Sequence, residues 1–228
     1  MPPFIEHLTM LGFGAELIYS FVIIICSLMI YFGTKELYEL SSYKGIKYFR
    51  LSFLFFAVAY FFRSFIKFVL DYFSLREIHE FSPMFFGNLT LFAFMYFSSL
   101  AIFFLLYSVM WKKWGENSSR IYLFHLSAFV ISLAVILLRN SWIYLGINLI
   151  LFVAVLSTVY ISRKDAKKKT KGHNLYIIYL LLSFFWILNI IDILIPEFLQ
   201  TIQFFIYLTS EFIFLMILYK VLKKAGSD

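Results

Sequence analysis

Charge is scarce in this chain: 14% of its 228 residues are charged, against about 25% in soluble domains. That shortage, together with a hydrophobic share of 62%, excludes an ordinary soluble fold. Cysteine is nearly absent. Cys26 stands alone inside an apolar run, which rules out an internal disulfide framework and a multi-cysteine metal site. Proline occurs only at Pro2, Pro3, Pro83 and Pro196, so no long apolar run is broken in its middle. Histidines are few and scattered: His7, His79, His125 and His173 fall on four separate segments without metal-ligand spacing. Glycine-rich phosphate loops are missing, and the Ser98–Ser99 and Ser118–Ser119 pairs have no accompanying base and acid. The chain is therefore expected to have no catalytic residues, no metal and no cofactor, and not to be an enzyme.

What remains is a series of long apolar runs, roughly 14–34, 47–72, 84–111, 120–138, 141–161, 174–195 and 199–222. About 20 residues cross a bilayer as a helix, and an apolar segment must satisfy its backbone hydrogen bonds internally. These runs predict an all-α integral membrane protein, a single domain over 1–228 built as a bundle of seven transmembrane helices. Pro83 and Pro196 fall at predicted helix ends, where a missing N–H costs least. The N-terminal MPPFIEHLTMLGFG lacks the basic region and cleavage site of a signal peptide, and retention of the first helix is expected.

The formal charge of +7 does not imply nucleic acid, because the basic residues sit in the short connections. One set of connections carries Lys35, Lys44, Lys47, Arg50, Lys112, Lys113, Arg120, the run RKDAKKKTK at 163–171, and Lys220, Lys223 and Lys224. The other carries Arg76 and Arg139 beside Glu6, Glu77, Glu80 and Glu197. Positive-inside bias places the basic side in the cytoplasm and the N-terminus outside, most simply in the plasma membrane. A faint internal repeat is also present. The end of helix 1, IYFGTKE, resembles that of helix 5, VYISRKD, and LLYSVMWKK at the end of helix 3 resembles ILYKVLKK in helix 7. Helices 1–3 and 5–7 would then be parallel repeats joined by helix 4.

Chemistry is sought among the polar residues inside the spans, which are costly there and tend to face a bundle interior. Tyr60, Arg63, Lys67 and Asp71 share one face of helix 2, and Gln203, Tyr207 and Glu211 share one face of helix 7. Counting inward from the helix ends at 1.5 Å per residue puts Arg63 and Glu211 at similar depth, which predicts that they pair. Glu16 on helix 1, Asn88 on helix 3, and Asn189 and Asp192 on helix 6 would form, with Lys67, a second polar layer nearer the outer surface. The expected ligand-binding set is thus Arg63, Lys67, Glu211, Tyr207, Asn189, Asp192, Glu16 and Asn88. The competing interpretation is an ion pair that only fixes helix register while Lys67 and Glu16 reach for the headgroups. The 31 Phe and 16 Tyr are spread around the helices and read as packing and lipid-facing residues rather than a cofactor box.

The topology is similar to that of microbial rhodopsins and other seven-helix receptors. A retinal protein requires a lysine near the middle of its last helix, where this chain has Glu211, so retinal is disfavoured. The leading expectation is a receptor-like or sensor protein. It would bind a small polar or zwitterionic ligand in an outward-facing pocket and signal to a cytoplasmic or membrane protein partner. The alternatives are a secondary transporter of a small polar solute, including a proton-coupled carrier, and a structural subunit of the bilayer without a ligand.

Overall fold

The computed structural model describes residues 3–75, 83–115, 118–138, 140–168, 176–195 and 200–225, with the side chains of 3–13, 66–75, 83–84, 86, 118, 141, 165–168 and 200 left aside. The described residues form eight helices: α1 (Pro3–Gly33), α2 (Lys35–Ser41), α3 (Lys44–Leu75), α4 (Pro83–Trp114), α5 (Ser118–Leu138), α6 (Ser141–Lys168), α7 (Tyr176–Leu194) and α8 (Gln200–Ala225). All except α2 contain a stretch long and apolar enough to cross a membrane, seven in total.

Helix boundaries follow local chemistry. Pro83 starts α4 at a position whose N–H has no helical partner in any case. Gly115, with φ +70, closes α4: its N–H donates to the Trp111 carbonyl at 2.8 Å, and its own carbonyl accepts from the Tyr107 hydroxyl at 2.7 Å. Asn140 caps α6 by accepting the Trp142 N–H at 2.8 Å. The short helix α2 was not expected from hydropathy, since KELYELS is mostly polar. Thr34 separates it from α1 and donates its hydroxyl to the Ile30 carbonyl at 2.6 Å. Ser42, in the left-handed region at φ 50, ends it.

The helices pack in a definite order. α1 lies against α3, α3 against α4, α4 against α6, α6 against α7, α7 against α8, and α8 back against α1, closing a ring of six. α5 stands outside the ring, docked mainly on α4.

The ring is filled by one continuous core. On α1 the buried stripe runs Glu16, Tyr19, Ile23, Cys26 and Ile30, and on α8 it runs Tyr207, Ser210, Phe214, Ile217 and Val221. Both stripes have the spacing of one helix face. Phe53 and Phe185 meet Phe214 with ring centroids 6.1 and 5.0 Å apart, tying α3 and α7 to α8. Conversely, α5 leaves Tyr122, Leu123, Leu126, Phe129, Val130, Leu133 and Leu137 exposed on its outer side. Apolar faces this extensive are covered by lipid in a membrane protein.

Candidate functional site

The site is built around Arg63 on α3. Its Nε donates to Glu16 Oε1 on α1 at 3.2 Å, and its Nη2 donates to Asp192 Oδ2 on α7 at 3.1 Å. Nη1 reaches Asn189 Oδ1 at 3.5 Å. All three side chains are largely buried, with 18% of Arg63, 8% of Glu16 and 11% of Asp192 exposed. A guanidinium is suited to such a place because its fork serves several acceptors at once. Leaving it unpaired there would cost several kcal/mol, of order 3–5 for a broken buried pair.

A layer of phenols and one amide extends the cluster by about one helical turn. Asn189 Oδ1 accepts the Tyr60 hydroxyl at 2.9 Å, while Asn189 Nδ2 donates to the Phe185 carbonyl at 2.9 Å. Tyr19 and Tyr60 join hydroxyl to hydroxyl at 3.1 Å. Tyr207 on α8 stacks on Tyr19 at 4.8 Å between centroids, and its phenol lies in the field of Arg63 and Asp192. The guanidinium carbon sits 5.7 Å from both the Tyr19 and Tyr60 ring centres, within cation–π range.

Beside this cluster is a cavity of about 270 Å³. One wall is Glu16, Tyr60, Arg63, Asn189 and Asp192; the others are Phe56 from α3, Leu91, Phe94, Met95 and Ser98 from α4, Tyr144, Asn148 and Leu151 from α6, and Trp186 and Ile193 from α7. Trp186 is oriented by its indole N–H, which donates to the Asn148 carbonyl at 3.3 Å. Asp192 Oδ1 is buried and has no hydrogen-bond donor among the described residues. The space is thus lined by α1, α3, α4, α6 and α7.

The structure therefore gathers Arg63, Glu16, Asn189 and Asp192 into one contact set and places Tyr207 against it. Asn88 is half-buried on α4 and is not part of the cavity wall. Lys67 lies on α3, but its side chain falls outside the described residues.

The expected Arg63–Glu211 pair is corrected. Tyr19 touches both Tyr60 and Tyr207, so these two positions share a level. Arg63 is then three residues nearer the N-terminal end of α1, and Glu211 four residues nearer the opposite end, an axial separation of about 10 Å. Depth counted from the presumed ends of the apolar runs missed this offset. Glu211 is instead half-buried at the edge of the α8 stripe, next to Ser210.

Tyr19, Tyr60, Tyr144, Asn148 and Trp186 were not in the expected set. The spacing Glu16–Tyr19 and Tyr60–Arg63, each one turn on the same face, was a signal for two of them. Nothing local marks Tyr144 and Asn148, which enter because α6 packs against α4. Apart from this site, His125 Nδ1 lies 2.7 Å from the Tyr96 hydroxyl and links α5 to α4. Among the described residues no group of three His, Cys, Asp or Glu side chains is placed to hold a metal.

These features define a seven-span helical membrane protein with a largely buried arginine–carboxylate cluster at the edge of a cavity among its helices. No family model matches the chain, and no solved structure matches it. An uncharacterised protein of Archaeoglobus fulgidus is 30% identical over 234 residues, an alignment that covers 98% of this chain and 97% of that protein. The chain belongs to the same family as that archaeal protein.

Proposed function

We propose that this protein is a receptor-like sensor that binds a small polar ligand in the cavity beside Arg63, and that it is not an enzyme. The observation that carries the proposal is the cavity of about 270 Å³, walled on one side by a preorganised charged cluster and on the others mostly by aromatic and aliphatic side chains. Small-molecule sites share that combination of an apolar enclosure with a few convergent polar groups. A purely structural ion pair gains nothing from adjoining space. We place the basic ends of the helices in the cytoplasm and the cavity in the outer half of a plasma membrane, on the strength of the lysine and arginine asymmetry. A membrane or cytoplasmic protein partner would receive the signal through the basic face.

The direct test is a ligand screen by thermal unfolding of the purified protein in lipid nanodiscs. A compound that raises the transition temperature of the native protein, and not that of a Leu91→Trp variant with the cavity filled, supports the reading. A screen without such a compound overturns it. Orientation is checked separately with single cysteines on a Cys26→Ser background. Positions in 74–82 should react with an impermeant reagent from outside, and positions in 163–171 should not.

The alternative reading is a secondary transporter. In that reading the cavity among α1, α3, α4, α6 and α7 would be its substrate site. Reconstitution decides between the two: a transporter moves the bound compound across liposomes alone, whereas a sensor binds it without flux.

A further inference from the structure

We infer that the ligand of this cavity carries a protonated amine, docked between Asp192 and the aromatic wall. This inference rests on the pocket proposed above and adds the chemical class of its occupant. Three features lead to it.

The first is the state of Arg63. Three of its five N–H donors are already directed at Glu16, Asn189 and Asp192, and two carboxylates face its single cation, which disfavours an added anion more than a free arm would. An anionic ligand would also have to approach two carboxylates. The second is Asp192 itself. It gives Oδ2 to Arg63 and keeps Oδ1 buried with no donor among the described residues, although its side chain forms part of the cavity wall. The carboxylate torsion χ2 of aspartate is soft and nearly two-fold, so a modest turn presents an oxygen to the cavity while the other stays on Arg63. A buried carboxylate oxygen short of a donor is satisfied best by a charged one.

The third is the aromatic content of the cavity lining. Tyr144 and Trp186 border the same space, as does Phe94, whose ring centre already lies 6.0 Å from the Arg63 guanidinium carbon, and aromatic faces attract ammonium groups. A carboxylate and rings bordering one space select a monocation with an apolar body.

The test uses n-butylammonium, n-butanol and n-butyrate as matched cationic, neutral and anionic probes, with binding to the full-length protein in nanodiscs followed by calorimetry. The expected result is saturable binding of n-butylammonium alone. Asp192→Asn should weaken it by roughly tenfold or more, as when one partner of a buried charge pair is removed. Leu91→Trp, which fills the cavity from α4, should abolish it and serves as the control if Asp192→Asn folds poorly. Butanol or butyrate binding that Leu91→Trp abolishes, with butylammonium silent, would overturn the amine class and leave the pocket standing. Absence of any probe binding sensitive to Leu91→Trp would overturn both. Butylammonium binding unchanged in folded Asp192→Asn would also defeat the assignment.

Discussion

Helix α3 carries two described arginines that the bundle treats in opposite ways. Arg63 is enclosed by Glu16, Asp192 and Asn189, with its charge met by carboxylates. Arg50, at the other end of the helix, donates Nε to the Tyr31 carbonyl at 3.0 Å and lies 4.8 Å from the Tyr31 ring centre and 5.9 Å from that of Tyr38. No carboxylate pairs with Arg50 among the described residues. A cation near the end of a span keeps access to water and headgroups, so a carbonyl and two rings suffice. Inside the ring, with 18% of its side chain exposed, Arg63 is instead met by two carboxylates and an amide. The two positions separate a charge that anchors a helix end from one that organises an interior.

The largest effect is expected when the interior charge is removed. Arg63→Gln leaves two buried carboxylates without their cation and should destabilise the bundle by about 3–5 kcal/mol, read as a fall in the unfolding transition in detergent. Adding Asp192→Asn to Arg63→Gln should recover part of that loss, because one unpaired charge then disappears. A small single effect with no recovery would show that the cluster is water-filled and not a dry ion-pair site.

The Arg50 end is held by close packing instead. A Cβ on Gly45 would lie 2.8 Å from the Ser108 carbonyl oxygen and 2.9 Å from Trp111 Nε1, in addition to striking the Tyr43 ring. Gly45→Ala should therefore cost about 1–3 kcal/mol by overpacking the α3–α4 contact. Gly87→Ala and Gly146→Ala meet open space and should be neutral or stabilising by about 0.5–1 kcal/mol through helix propensity. Equal destabilisation at all three glycines would remove the distinction.

Arg50→Gln is expected to cost no more than about 1 kcal/mol, the size of a partly exposed cation–π contact. A loss comparable to that of Arg63→Gln would collapse the contrast between the two arginines. The smallest effect belongs to Glu211, which contacts neither. Glu211→Gln should change stability by less than about 0.5 kcal/mol, and its effect should add to that of Arg63→Gln. A double mutant more stable than the sum would restore a direct Arg63–Glu211 coupling.

The contrast between these residues also explains what could be read from the chain before its fold. The existence and approximate limits of the spans depend on hydropathy over some 20 successive residues, a property of each segment alone, and all of the long runs became helices. The one-turn spacing of Tyr60 and Arg63, and of Asn189 and Asp192, likewise lies within single helices and pointed to polar faces. KELYELS carried no comparable signal, since a short interfacial helix is neither long nor apolar enough to stand out.

Partnership lay beyond such reading. Whether Arg63 meets Glu211 or Glu16 and Asp192 depends on the axial offset and rotation of four helices relative to one another, and hydropathy is nearly blind to both. The exclusion of α5 from the ring has the same origin: its apolar content of all sides suits lipid and protein neighbours equally. In a bilayer, where lipid tails are as apolar as leucine, the choice of neighbour falls to shape, close backbone approach and the pairing of the few polar groups. Those are properties of side chains brought together from distant parts of the chain, and they exist only once the ring has closed.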